Sequence, residues 1–239
     1  MINLRRADTR RHDRRHQGDV WRTFGTGDAD PFADGFGVLE AVDEDRLAPH
    51  ATIPQLPGND TEIVTYVREG AVAYEDSIGG SGVIQAGEFQ RLTSGRGLRH
   101  RESNASRTEC AHVFQIRLRR SQVARESSRE QKRFSTAARR GALCIVASPD
   151  ARYESLRLYE DSLIYSALLE RGQHIVHELS PERGAWLHVV HGEVTLDDHV
   201  LTTGDGAAVT SECAVSLTAR NETELLLFDV VAPRPLACN

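Results

Sequence analysis

Short runs of apolar and β-branched residues, cut by glycine, aspartate, asparagine and proline, dominate the chain. Clear examples cover residues 62–68, 110–118, 185–191 and 224–231, and no comparable run shows sustained helical periodicity. Runs of this length that end at turn-forming residues are typical of antiparallel strands. The pattern therefore predicts an all-β protein with few short helices.

One unit of this pattern occurs twice. Residues 67–76 resemble residues 189–198, with Gly70 and Gly192 at the same place, and each copy is followed by a second glycine next to an acidic residue. A strand, a tight glycine turn and a second strand match the hairpins of a small closed barrel. Two copies predict two tandem cupin domains, each a small β-barrel or double-stranded β-helix.

The repeat also suggests domain boundaries. We expect an N-terminal cupin barrel with the candidate pocket over residues 1–120 and a C-terminal cupin barrel over residues 141–239. The intervening segment, residues 121–140, is rich in arginine and serine and is predicted to be a linker with one short helix. Residues 213–219 alternate apolar with small polar side chains and include no His, Glu or Asp. The second barrel is therefore expected to be structural.

Composition narrows the class of protein. The chain has 239 residues, of which 39% are hydrophobic and 27% charged, which is typical of a soluble globular protein. Its apolar stretches, such as residues 225–228, fall far short of the roughly 20 residues of a membrane span. No apolar stretch follows the charged N-terminal residues, as a secretory signal would require. We expect a cytoplasmic protein without a membrane partner.

The net charge of −6 argues against a nucleic-acid partner. Basic residues are concentrated in residues 5–15 and 117–133, where solvated faces are the expected explanation. The cysteines are widely spaced without a CxxC pair, and we expect reduced thiols in or near a core, with redox sensing as the alternative. They are Cys110, Cys144, Cys213 and Cys238.

Several ordered motifs resemble signature segments of the pirin family. They are TEIVTYVREG at 61–70, DSIG at 76–79, GRGLRHRE at 95–102 and EQKRF at 130–134. The resemblance covers nearly the whole chain and is to the bacterial pirins related to quercetin 2,3-dioxygenase. It implies a bicupin whose first barrel holds one divalent transition metal ion on three histidines and one glutamate. Part of the family opens the ring of quercetin with dioxygen, whereas other members are regulatory proteins.

Only half of that implied ligand set is present. His100 and Glu102 match the second ligand pair and lie two residues apart, which places them on one face of a strand. The first pair falls on Leu56 and Gly58, neither of which can bind a metal. One histidine and one glutamate hold a redox metal weakly unless another ligand such as His50 replaces the missing pair. We therefore expect no cofactor, and iron, copper, nickel or manganese if a metal is bound.

The alternation of residues along the strands predicts the pocket walls. A histidine and a glutamate in one cavity can act as general acid and base where burial moves their pKa values toward neutrality. The structural alternative is that His100 and Glu102 are remnants, hydrogen-bonded inside a pocket without function. The expected wall residues are Leu56, Gly58, Ile63, Thr65, Val67, Phe114 and Ile116.

These observations favour a pirin-like bicupin that binds a small aromatic or polycyclic molecule in its N-terminal barrel. If the protein is an enzyme, His100 and Glu102 would support isomerase, cyclase or lyase chemistry without a metal. One alternative is an oxygenase similar to quercetin 2,3-dioxygenase with a rescued metal site. Another is a non-catalytic regulatory or redox-sensing module. The sequence leaves open which of these holds, and what oligomer forms.

Overall fold

Strands make up most of the molecule. The computed structural model describes residues 1–15, 17–25, 30–53, 61–94, 98–120 and 126–232. Within these ranges the helical elements are one turn long, which confirms the prediction of an all-β protein with few short helices. They are a 3₁₀ turn at Ala7–Thr9, the α-helix α1 at Thr136–Arg139 and a 3₁₀ turn at Arg152–Glu154.

The strands of the first half alternate with short turns. In chain order they are β1 (Ile2–Arg5), β2 (Arg11–Arg15), β3 (Gly18–Arg22), β4 (Leu39–Leu47), β5 (Thr52–Ile53), β6 (Thr61–Glu69), β7 (Ala71–Asp76), β8 (Ser81–Gln85), β9 (Glu88–Thr93), β10 (His100–Asn104), β11 (Ala111–Arg119) and β12 (Ser128–Arg133). Most of them form a seven-stranded sheet in the order β12-β9-β6-β11-β4-β3-β2, packed against a four-stranded sheet in the order β5-β10-β7-β8.

The second half repeats this arrangement. Its strands are β13 (Cys144–Ser148), β14 (Leu156–Arg157), β15 (Ser162–Leu169), β16 (His174–Glu178), β17 (Arg183–His191), β18 (Glu193–Leu196), β19 (His199–Thr202), β20 (Gly206–Val209), β21 (Ala214–Ala219) and β22 (Thr223–Val231). A seven-stranded sheet in the order β1-β20-β17-β22-β15-β13-β14 packs against a four-stranded sheet in the order β16-β21-β18-β19. Two cupin domains in tandem, as the repeat predicts, account for the described chain.

Each half takes an edge strand from outside its expected boundaries. Strand β1 pairs with β20 of the second half, and β12 pairs with β9 of the first half. Strand β1, from the segment predicted as the first domain, thus joins a sheet of the second half, and β12, from the segment predicted as a linker over 121–140, joins a sheet of the first; the short helix α1 lies in the same segment. Ile2 and Leu4 pack against the core of the second half, which explains the position of β1. The polar sequence of β12 suits an edge strand that is partly exposed.

The two halves share details of register. Gly70 between β6 and β7 has φ +76°, and Gly192 between β17 and β18 has φ +92°, a left-handed conformation that glycine adopts without steric cost. The pairing of β6 with β11 skips one residue before Glu69, and that of β17 with β22 skips one before His191. The shared bulge shows that positions in one half can be matched to positions in the other.

The largest apolar cluster lies between the halves. It joins residues of both seven-stranded sheets, and Trp186 is fully buried there with Phe24 and Phe32 packed edge-on against its ring. Phe114 and Ile116 belong to the same cluster. Burial of this much apolar surface is the main term that holds the two halves together.

A buried ionic network crosses the same interface. Arg139 donates hydrogen bonds to Glu224 at 2.5 Å and to the hydroxyl of Tyr66 at 3.1 Å, and Tyr66 in turn donates to Glu224. Arg68 donates to the second oxygen of Glu224 at 3.0 Å. One carboxylate of the second half is therefore shared by side chains that the first half and the connecting segment supply.

Candidate functional site

The carboxyl group of Glu102 is the buried centre of the candidate site. Glu102 lies in the middle of β10, between Ile53 of β5 and Tyr74 of β7, and is 3% exposed. The amide nitrogen of Gln115 donates a hydrogen bond to one of its oxygens at 2.5 Å, and the hydroxyl of Thr65 donates to the other at 3.4 Å. Burial raises the pKa of Glu102 to about 7, although both hydrogen bonds act in the opposite direction.

Two facing strands supply the donors to this carboxyl group. Thr65 of β6 lies directly opposite Gln115 of β11, and directly opposed residues of an antiparallel pair point to one face. Thr65, Glu102 and Gln115 are called the polar trio below. Alternation along β6 places Ile63 and Val67, two of the expected wall residues, on the same face as Thr65.

Two expected wall residues lie elsewhere. Phe114 and Ile116 alternate with Gln115 and point to the opposite face of β11, into the apolar cluster between the two halves. Their prediction as pocket walls is wrong because the alternation was placed one residue out of phase. Gln115 is the site residue that the sequence analysis missed. Leu56 and Gly58 lie outside the described residues.

His100 begins the same strand two residues before Glu102. It lies opposite Asp76 of β7 and is partly buried. Burial lowers the pKa of His100, the positive charge of Arg129 lowers it further, and the charge of Asp76 acts against both. The imidazole is therefore held toward its neutral form, in which one ring nitrogen accepts and the other donates.

The second half shows what the same positions contain when they serve packing alone. In β17, β21 and β22 the positions of the polar trio are occupied by Leu187, Leu217 and Leu227, all buried in one apolar cluster. Leu187 lies opposite Leu227, as Thr65 lies opposite Gln115. A carboxyl, an amide and a hydroxyl group thus occupy the positions in the first barrel that core leucines occupy in the second. A purely structural barrel would not require these polar groups.

The described side chains do not fit a metal ion. Among the described residues, no group of three His, Cys, Asp or Glu side chains lies where it could hold one. His50, the expected additional ligand, is exposed in the turn after β4 and does not complete a set with His100 and Glu102. At positions 56 and 58 the sequence supplies leucine and glycine, which have no ligating side-chain atom.

Two arginines of the basic N-terminal segment are buried inside the molecule. Arg5 and Arg10 are 7% and 6% exposed and form ion pairs with Asp30 and Glu44. These two arginines are therefore not part of a solvated face, whereas Arg6, Arg11 and Arg14 of the same segment are exposed. The segment over 117–133 likewise forms internal ion pairs, as between Arg117 and Asp43.

Three cysteines fall in the described part of the chain, and none of them forms a disulfide there. Cys110 and Cys213 are exposed, which corrects their expected place in or near a core, while Cys144 is partly buried. Burial raises the pKa of the Cys144 thiol and so disfavours the reactive thiolate. Cys238 lies outside the described residues.

In the described ranges, no helix has the length and apolar composition that crossing a bilayer requires.

Comparison with known proteins follows the same two-part division. A family model described as Pirin matches residues 10–118, and one described as the quercetinase C-terminal cupin domain matches residues 145–230. A quercetin 2,3-dioxygenase from Escherichia coli strain K12 is 37% identical over 231 residues, which cover 96% of this chain and 99% of that protein. The similarity therefore extends over both halves.

Solved structures agree with the sequence similarity. The crystal structure of YhhW from Escherichia coli superposes with a TM-score of 0.91 at 36% identity, covering 99% of this chain and all of that one (100%). A structure of the bacterial pirin YhhW from the same organism in complex with nickel(II) gives a TM-score of 0.88 at 36% identity, covering 98% and 100% of the two chains.

Proposed function

The chain belongs to the pirin family of bicupins, and from this premise we propose that its first barrel binds a small molecule and transfers protons on it through Glu102 and His100. The observation that carries the proposal is the polar trio, which stands where the second barrel has three core leucines. Relatives named for an activity on quercetin support an aromatic or polycyclic ligand. We propose that this chemistry needs no fully ligated metal ion.

The surroundings of Glu102 suit a group that both takes and returns a proton. With a pKa of about 7, its carboxyl exists in both forms near neutral pH. Gln115 and Thr65 hold it in place with neutral donors, and the positive charge of Arg129 only partly opposes the effect of burial on its pKa. His100, held toward its neutral form, is a second group for proton transfer on the same strand. Isomerisation, cyclisation and elimination require such proton transfers and no change of oxidation state.

Deuterium incorporation from solvent tests this proposal directly. The wild-type protein, purified without chelators, would be incubated in D₂O with a panel of flavanones and aryl ketones, whose α-hydrogens exchange slowly. We expect mass spectrometry to show labelling of at least one compound, and Glu102→Gln to reduce its rate by at least about 100-fold, the range of general acid-base catalysis. Glu109→Gln, at an exposed carboxylate shortly after β10, is the matched control and should leave the rate unchanged.

Two outcomes would contradict the proposal. An unchanged rate of labelling in Glu102→Gln would show that Glu102 takes no part in proton transfer. Absence of labelling from the whole panel, together with indifference of ligand binding to the double variant His100→Ala and Glu102→Ala, would favour a non-catalytic regulatory module.

An oxygenase similar to quercetin 2,3-dioxygenase is the second candidate. It is supported by a relative of that name at 37% identity and by the nickel(II) complex of a bacterial pirin at 36% identity. Metal analysis of the chelator-free protein decides between the two, since near-stoichiometric iron, copper, nickel or manganese would support the oxygenase. We expect substoichiometric metal instead. The double variant Leu56→His and Gly58→His should increase metal uptake if only the ligands have changed.

A further inference from the structure

Arg129 lies on the interior side of the first barrel, beside the polar trio. In the pairing of β12 with β9 it lies opposite Leu92, which in turn lies opposite Ile63 on β6, so the three share one face. The matching position in the second half is Ile2, which lies opposite Val209 and packs against the apolar core. A charged side chain thus stands where the other barrel has an isoleucine.

The known contacts of Arg129 use only part of its guanidinium group. Its Nη1 donates a hydrogen bond to Asp76 at 2.7 Å, and its Cζ lies 4.1 Å from the ring centre of Tyr74. Its Nε and Nη2 are buried and have no hydrogen-bond partner among the described residues. Buried donors of native proteins are normally satisfied, and a charged donor left without an acceptor is especially unfavourable.

These free donors lie close to the groups proposed for proton transfer. Asp76 is directly opposite His100, and Tyr74 is directly opposite Glu102, so both contacts of Arg129 are the cross-strand neighbours of the candidate site. The positive charge of Arg129 also acts on both His100 and Glu102.

Asp76 accepts a hydrogen bond from only one of the three guanidinium nitrogens of Arg129. The same carboxylate accepts hydrogen bonds from the backbone nitrogens of Ile78 at 3.1 Å and Gly80 at 2.7 Å, which fix it as part of the turn after β7. Glycine at position 80 leaves room for this ion pair, because a Cβ there would come within 2.3 Å of an oxygen of Asp76 and 2.7 Å of Nη1 of Arg129. The turn therefore orients the guanidinium group while Nε and Nη2 remain without an acceptor among the described residues.

We propose that Arg129 binds an anionic oxygen of the ligand, so that the first barrel selects small acids: carboxylates, enolates or phenolates. An Arg guanidinium presents adjacent N–H groups that match two acceptor positions of such an oxygen group. The inference rests on the proposed function for the location of the ligand, and it adds the ligand's chemical class. It makes Arg129 a specificity-determining residue.

A pair of probes that differ in charge but hardly in shape tests this assignment. Binding of 1-naphthoate and 1-naphthamide would be measured at neutral pH by isothermal titration calorimetry. We expect the wild-type protein to bind 1-naphthoate at least tenfold more tightly than 1-naphthamide, and Arg129→Gln to reduce that preference to within about twofold. Arg133→Gln is the matched control, since Arg133 lies on the same strand but is exposed and paired with Glu88.

A second variant separates ligand binding from a purely structural role. Asp76→Asn removes the ion-pair partner of Arg129 and retains its guanidinium group. If Arg129 binds the ligand, Asp76→Asn keeps or increases the preference for 1-naphthoate. If Arg129 serves only the turn, Asp76→Asn and Arg129→Gln change the binding of both probes alike, and the proposal is overturned.

Two further outcomes overturn the proposal: equal binding of the two probes by the wild-type protein, and a preference for 1-naphthoate that survives in Arg129→Gln. Either result would show that Arg129 does not bind the charged group of the ligand and that water satisfies its Nε and Nη2. Failure of the proposed function looks different. In that case Glu102→Gln would leave the rate of deuterium incorporation unchanged, while the preference for 1-naphthoate over 1-naphthamide would still depend on Arg129.

Discussion

Gln115 donates a hydrogen bond of 2.5 Å to the carboxyl group of Glu102 across the interior of the first barrel. The matching residue of the second barrel is Leu227, which is buried in an apolar core. The difference between a site and a core at this position is therefore one amide group. Its hydrogen bond also keeps the pKa of Glu102 below the value that burial alone would give.

Gln115→Leu should raise the pKa of Glu102 above its value of about 7. The amide stabilises the ionised carboxylate, and loss of a hydrogen bond to a charged group corresponds to about one pKa unit or more. A ¹³C NMR titration of the glutamate carboxyl carbons measures the shift. Gln90→Leu is the control, because Gln90 is also buried in the same barrel but donates to Gln131. An unchanged midpoint in Gln115→Leu would show that this hydrogen bond does not lower the pKa of Glu102.

Much of the fold could be predicted from the sequence because its signals are local. Glycines such as Gly70 and Gly192 mark turns that only glycine makes easily, and alternation identifies strands such as β21. The pairing of β1 with the second half and of β12 with the first could not be predicted, since sequence pattern does not show which sheet edge a short strand joins.

The site was predicted less completely than the fold. His100 and Glu102 follow from their spacing, but Gln115 lies between two large apolar residues, Phe114 and Ile116, that look like better wall residues. Only the register of β11 with β6 shows that Gln115 points inward and its neighbours point toward the second half. Arg129 was missed because it lies in a polar segment, and its interior position depends on pairing with β9.

Glu224→Gln should destabilise the fold by about 3 kcal/mol, because it leaves the buried charge of Arg139 without its carboxylate. Urea unfolding followed by circular dichroism gives the change in the free energy of unfolding. Glu193→Gln is the control, since Glu193 pairs with Arg220 at the surface, and such pairs contribute under about 1 kcal/mol. Equal losses in the two variants would indicate that the network between the halves is no stronger than a surface ion pair.

His188→Leu should make the protein less sensitive to acid. Burial lowers the pKa of His188 to about 3 from 6.5, and both of its ring nitrogens lack a partner among the described residues. Between these two values the unfolded chain binds a proton that the folded chain does not, so wild-type stability falls as pH falls below about 6.5. The loss amounts to about 2 kcal/mol at pH 5.

The test compares urea unfolding of wild type and His188→Leu at neutral pH and near pH 5. The variant should be at least as stable at neutral pH, because leucine removes unsatisfied polar atoms, and its advantage should grow on acidification. His191→Leu, at an exposed residue of the same strand, should retain the wild-type slope. A parallel dependence on pH in wild type and His188→Leu would show that other groups cause the acid sensitivity.

Gly192→Ala should cost more than about 3 kcal/mol, whereas Gly172→Ala should cost about 1 kcal/mol. Both glycines have positive φ, +92° and +83°, so alanine is strained at either place. A Cβ at Gly192 would also come within 2.3 Å of the carbonyl oxygen of Glu222, while nothing lies within 4 Å of a Cβ at Gly172. The difference between the two free energies of unfolding therefore measures the close approach of the backbones at the repeated turn. If both variants lose the same stability, the turn after β17 relaxes away from Glu222, and only the conformation of Gly192 matters.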